Sequence, residues 1–136
     1  MNKQTLQKLK KLAQKGAHNA YSPYSKIKVG AAVLTEDNKI YFGGNMENIS
    51  FGATVCAERV AILKALSEGH RKFTALYLYT KDQWTPCGMC LQVMSEFLSP
   101  TTPVILGSLD KPDLVTTFEK LMPRQVDLKT FKKLQE

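Results

Sequence analysis

The chain has 136 residues, 43% of them apolar and 23% charged, with a formal net charge of +7. That length makes one domain, 1–136, which buries a core without disulfides, and its three cysteines form no closed disulfide framework. No apolar run reaches a membrane span, and Met1-Asn2-Lys3-Gln4 leads into no secretory segment. Membrane and secreted classes are therefore set aside, and a cytoplasmic address is expected.

The net charge alone would point to nucleic acid, but it sits on the two ends. Residues 1–20 hold five lysines and no acid, and 120–136 hold five basic and two acidic residues. The stretch between, 21–119, has nine basic against ten acidic residues. A basic amphipathic end is ordinary solvated surface, so no nucleic-acid partner is expected.

Leu6, Leu9, Leu12, Ala13, Ala17 and Ala20 recur at helical spacing, which predicts an amphipathic helix over 3–20. Tyr21-Ser22-Pro23-Tyr24-Ser25 breaks it, because proline disfavours the α region for its predecessor. Residues 27–35 read as a strand, 36–38 as a turn and 39–45 as the return arm of a hairpin. A second helix is expected over 55–68, with Val60, Ala61, Leu63 and Leu66 in the core and Gly69 as its stop.

Residues 73–80 read as a strand, 88–98 as a helix and 103–106 as a short buried strand. A weaker helix is expected over 114–121, ending at Pro123, and the tail 124–136 carries a helical tint from Leu128, Phe131 and Leu134. Strand–helix alternation after an opening hairpin predicts a mixed sheet flanked by helices, a three-layer α/β/α sandwich.

Two cysteine clusters carry the chemistry: Cys56-Ala57-Glu58-Arg59 and Pro86-Cys87-Gly88-Met89-Cys90. Cys56, Cys87 and Cys90 supply three thiolates, the ligand set of a catalytic zinc site with its fourth position open. Three thiolates on Zn²⁺ leave a formal charge of −1. Both clusters fall at predicted helix N-termini, each worth roughly +0.5 of a charge, which offsets it. Arg59 can add positive charge and a donor to a coordinating sulfur.

Glu58 follows Cys56 by only two positions and so points to a different side of a helix, which makes it a poor fourth ligand. Beside a metal it suits general acid/base work, and the pattern fits hydrolytic deamination. Three other readings stay open on residues alone. A structural zinc site would close on His18 or His70. A thioredoxin-like pair in Trp84-Thr85-Pro86-Cys87-Gly88-Met89-Cys90 would leave Cys56 and Glu58 unexplained, and a Cys/His nucleophile is the third.

Over about 17–123 the chain resembles the cytidine deaminase family, in its small homotetrameric class. The resemblance rests on Tyr21-Ser22-Pro23-Tyr24-Ser25-Lys26, Val29-Gly30-Ala31-Ala32, Gly44-Asn45-Met46-Glu47-Asn48, the two cysteine clusters and Leu121-Met122-Pro123. It implies a cytidine deaminase-like fold, one zinc per subunit on Cys56, Cys87 and Cys90, and Glu58 as proton shuttle. It also implies that Asn45 and Glu47 hold the ribose hydroxyls, that the Ala57 N–H contacts the base, and that Phe51 lies near a subunit boundary; simple core packing is the alternative for Phe51. Positions i and i+2 at a strand end share a side, which suits an amide and a carboxylate holding a sugar diol.

Family members acting on RNA or deoxycytidylate typically have His-Ala-Glu where this chain has Cys-Ala-Glu. The resemblance therefore implies free nucleosides: cytidine and 2′-deoxycytidine converted to uridines with release of ammonia, a reaction of pyrimidine salvage. Blasticidin S deaminases share the cysteine, but intact Asn45-Met46-Glu47-Asn48 favours the nucleoside. Three positions depart from the family pattern. Ile27 stands where a phenylalanine commonly meets the pyrimidine, Val126 where an aromatic usually reaches a neighbouring subunit, and Leu91 where an arginine typically follows the last cysteine. A looser pocket is expected from the first two; from the third, either more electron-rich thiolates or simple packing on the third helix.

Overall fold

Five strands make one mixed sheet in the order β2-β1-β3-β4-β5. They are β1 (Gly30–Thr35), β2 (Ile40–Gly44), β3 (Phe73–Tyr79), β4 (Pro103–Gly107) and β5 (Leu114–Thr117). The computed structural model describes all of residues 1–136. Only β3 and β4 pair in parallel, and the helix between them, α3 (Gly88–Phe97), makes the crossover such a pair requires.

The sheet's two faces follow from residue alternation. Ala32, Leu34, Ala75, Tyr77 and Ile105 pack against Leu9 and Ala13 of α1 (Lys3–His18), which covers one face alone. Ala31, Val33, Leu76, Leu78, Val104 and Leu106 face the other way, toward α2 (Ala57–Ser67), α3 and the single turn α4 (Phe118–Leu121). The three-layer α/β/α sandwich with a mixed central sheet is therefore what the chain forms. No helix is long and apolar enough to cross a membrane.

Helix α1 lies unusually close to the sheet. A Cβ built on Gly30 would stand 1.8 Å from the Ala13 carbonyl oxygen, so bare backbone meets bare backbone there. Asn2 caps the helix by accepting from the Thr5 N–H at 2.8 Å. The helix ends at His18 instead of continuing to Ala20.

Three expectations need correction. The ladder of β1 begins at Gly30, not Ile27, because the Asn45 side chain takes the backbone groups just before it. Its Oδ1 accepts from Val29 N–H at 2.9 Å and its Nδ2 donates to Ile27 C=O at 2.8 Å. The segment 114–117 is the edge strand β5, paired antiparallel with β4, and only 118–121 turns helical. Leu63 is 52% exposed; the buried stripe of α2 is Ala57, Glu58, Ala61, Ile62 and Ala65. In the tail, α5 (Leu128–Leu134) bears out the helical tint, with Asp127 as its cap.

One end of the sheet gathers the chemistry. Gly30 is in register with both Gly44 and Tyr79, so 27–29, 45–47 and 80–87 leave the sheet at the same edge.

Candidate active site

The segment 45–47 is fixed from both sides. Tyr21 N–H donates to Asn45 C=O and Glu47 N–H to Tyr21 C=O, at 2.9 and 2.8 Å, while Met46 and Val55 exchange two bonds at 2.9 Å each. That lattice delivers the chain from Val55 straight into Cys56, the N-cap of α2. Cys87 is the N-cap of α3, and Cys90 lies in that helix's first turn.

A cap residue normally turns its side chain onto the helix's free N–H groups. Neither cysteine does so, which leaves both sulfurs directed elsewhere. They meet Cys90: Cys56 Sγ lies 3.7 Å from Cys87 Sγ, Cys87 Sγ lies 3.5 Å from Cys90 Sγ, and all three fall within 4.8 Å of one another. Thiolates about 2.3 Å from a tetrahedral zinc stand about 3.8 Å apart, so the spacing fits that ion. All three cysteines are free of disulfides, and no histidine joins the cluster. His70 is engaged with Tyr41 Oη at 3.0 Å and Asp37 at 3.3 Å, and His18 ends α1, the helix that packs on the sheet's other face. The site is thus a three-sulfur centre, neither closed by His18 or His70 nor a bare redox pair.

Charge supports the same geometry. Arg59 Nη2 donates toward Cys56 Sγ at 3.6 Å. The bond with Cys90 and then the guanidinium bring the Cys56 thiol down to about 5, against the cost of burial. Cys90 is pushed the other way by its bond to Cys56 and by its own burial. Cys56 is the first of the pair to ionise.

Glu58 is 3% exposed, on the buried stripe of α2. Burial pushes its carboxyl up to about 7, with the Cys56 charge adding to the rise. A carboxyl poised there exchanges protons readily at neutral pH.

A cavity of about 190 Å³ opens over this centre, its wall including Asn45, Cys56, Ala57, Glu58 and Cys87. An adjoining cavity is lined by Tyr24, Ser25, Glu47, Phe51 and Thr54, and Thr54 borders both. Neither has a lysine or arginine in its lining.

Asn45 and Glu47 thus line two adjoining cavities. Glu47 is occupied by the loop ahead of β1: Oε1 accepts from the N–H groups of Tyr24 and Ser25 at 3.0 and 3.1 Å, and Oε2 from the Ser25 hydroxyl. These bonds, led by the hydroxyl, hold its carboxyl below the usual range. Ile27 lines neither cavity. Phe51 is 74% exposed, so the core-packing alternative falls, and its ring meets Tyr24 edge-on with centroids 5.7 Å apart. Leu91 packs against the apolar core beside α3. Trp84 stood out in the sequence only within the thioredoxin-like motif and Thr80 only within a strand, yet both line the metal-side cavity.

The family model for the cytidine and deoxycytidylate deaminase zinc-binding region matches residues 3–106, which contain all three cysteines and Glu58. The chain belongs to that family. A cytidine deaminase of Sporosarcina psychrophila is 45% identical over 120 residues, covering 87% of this chain and 88% of its own length. One from Halalkalibacterium halodurans is 44% identical over 119 residues, 86% and 90% of the two lengths. The crystal structure of cytidine deaminase from Burkholderia pseudomallei superposes with a TM-score of 0.85 at 38% identity, covering 93% of this chain and 100% of its own. As a member of this deaminase family the chain is a hydrolytic enzyme acting on a C–N bond, with zinc as its metal.

Proposed function

We propose that the chain, a single deaminase domain over 1–136, converts cytidine and 2′-deoxycytidine to uridine and 2′-deoxyuridine with release of ammonia. The observation that carries this reading is Glu58: a carboxyl at 3% exposure shares one cavity with Cys56 and Cys87, whose sulfurs converge with that of Cys90. Held by Cys56, Cys87 and Cys90, zinc supplies the Lewis acidity that makes water a nucleophile near neutral pH.

The chain's residues do the rest. Glu58 takes a proton from the attacking water and gives it to ring N3, then takes the remaining proton of the new C4 hydroxyl and delivers it to the departing amine. Water thus adds at C4, the C4–N bond breaks, and a carbonyl remains. Arg59 steadies the charge on Cys56. The Ala57 N–H, on the same cavity wall, is assigned to the base.

Asn45 and Glu47 are assigned to the sugar. After its two backbone bonds, the Asn45 amide keeps one N–H and one lone pair, and after three donors Glu47 keeps one lone-pair site. A free nucleoside suits cavities with no cation in their lining, whereas a 5′-phosphate would meet the Glu47 carboxylate there. Ile27 and Phe51 are assigned to the rim, open to bound substrate or to a neighbouring subunit. A homotetramer accords with exposed Ile49 and Phe51, a cytoplasmic address with three free thiols, and the absence of a nucleic-acid partner with the neutral middle of the chain.

The test is a spectrophotometric deamination assay on cytidine, deoxycytidine, deoxycytidylate and blasticidin S. We expect the first two to turn over, a chelator to abolish activity and zinc to restore it. Turnover confined to deoxycytidylate or blasticidin S would replace this reading.

A further inference from the structure

We infer that Trp84 supplies the aromatic surface against which the substrate's pyrimidine ring rests, a role that rests on the deaminase reading above. Trp84 belongs to the loop between β3 and α3 and is the only aromatic residue lining the cavity that holds Glu58, Cys56 and Cys87.

Its backbone is tightly fixed. Trp84 N–H donates to Thr80 Oγ1 at 2.8 Å, and Thr80 itself lines the cavity. The preceding residue, Gln83, is held at φ 56, in the left-handed region that a side chain enters at a cost. Its amide Nε2 donates to Leu106 C=O at 3.1 Å and to Pro112 C=O. A strained residue whose side-chain amide is held by two carbonyls is characteristic of loops that aim a functional neighbour.

The indole itself has nothing to do within the chain. It remains 42% exposed, belongs to neither apolar core, and stacks on no other ring. An unpartnered indole lining a cavity, on a backbone held by Thr80, suits a planar, π-rich ligand, because an aromatic face holds a base without demanding a hydrogen-bond pattern. Ile27 lines neither cavity, so within the cavity that holds Glu58 ring contact falls to Trp84, from the other loop at this end of the sheet.

Trp84 is the single tryptophan of the chain, so its fluorescence reports on this contact alone. The experiment titrates cytidine into the zinc-loaded Glu58→Gln protein, which binds without turnover, and measures KM and kcat for zinc-loaded Trp84→Ala and Trp84→Phe. We expect saturable quenching of the indole, a KM raised roughly tenfold or more in Trp84→Ala, a kcat within about threefold of the parent, and a KM mostly restored in Trp84→Phe. Calorimetric Kd values for cytidine on the double variants with Glu58→Gln should follow KM.

Two results would overturn the inference while leaving the deaminase reading intact. One is normal turnover of cytidine with unquenched fluorescence and an unchanged KM in Trp84→Ala. The other is a changed oligomeric state in Trp84→Ala with the same KM, which would make the indole a subunit contact. If the parent fails to deaminate cytidine at all, the deaminase assignment to cytidine is what has failed. The same titration with blasticidin S then decides whether Trp84 receives an aminopyrimidine.

Discussion

Arg59 Nη2 and Cys56 Sγ lie 3.6 Å apart, one turn of α2 from each other. The helix N-terminus and the guanidinium act on the same sulfur, and both favour its ionised form. Arg59→Gln should therefore weaken zinc binding about 10- to 100-fold. Because protons compete with metal for a thiolate, the loss should be larger at pH 6 than at pH 8. Chelator competition at the two pH values measures it, and equal losses at both would mean that Arg59 acts through packing.

The buried Glu58 carboxyl gives the metal-free protein a defined pH dependence. In the unfolded chain this group releases its proton near 4.5, and in the folded chain near 7. Between those values the folded state binds more protons, so stability falls as pH rises across the window. At about 1.4 kcal/mol per pH unit the interval corresponds to roughly 3 kcal/mol. Metal-free Glu58→Gln should match the parent in urea unfolding below pH 4.5 and exceed it by that order at pH 8. The loaded variant should keep its zinc and lose turnover.

The ligands and the acid–base residue were legible because their chemistry is local: three thiols and a carboxylate announce themselves by type and spacing. Packing was less so. Glu58 occupies a buried position of α2 among small alanines, which hides the true apolar stripe and made Leu63 look internal. Residues 114–121 carry apolar spacing of a helix and β-branched residues of a strand at once, and pairing with β4 decides between them. Asn45 reads as a ligand residue in sequence; only the fold shows half its amide already bonded to Ile27 and Val29. Trp84 entered only as the first residue of a thioredoxin-like motif, because nothing local marks a loop residue that lines a cavity with Asn45 and Glu58.

Gly30 and Gly16 let α1 lie directly on the hairpin. A Cβ on Gly30 would meet the Ala13 carbonyl oxygen at 1.8 Å and the Ala17 nitrogen at 2.5 Å, and backbone cannot step aside cheaply. Gly30→Ala should cost about 3 kcal/mol, at the upper end for overpacked sites. Thermal unfolding measures the loss. Since Gly30 also starts the strand that follows Val29, deamination should fall in parallel at temperatures where the variant remains folded.

Glu47 holds the loop ahead of β1 and is assigned a sugar hydroxyl, and two substrates separate those roles. Cytidine presents the hydroxyls, whereas 2′,3′-dideoxycytidine does not. If the remaining lone-pair site of Glu47 accepts from the sugar, the parent should prefer cytidine in kcat/KM by about tenfold or more, the worth of a charge-assisted bond. Glu47→Ala should lower that ratio to the part that Asn45 alone supplies. Ser25→Ala should behave differently. It removes the hydroxyl that bridges Glu47 to the Ile27 N–H but leaves the carboxylate in place. Its KM should rise for both substrates alike, with the preference kept. A ratio that survives undiminished in Glu47→Ala would assign Glu47 to the loop alone and leave Asn45 as the sugar's partner.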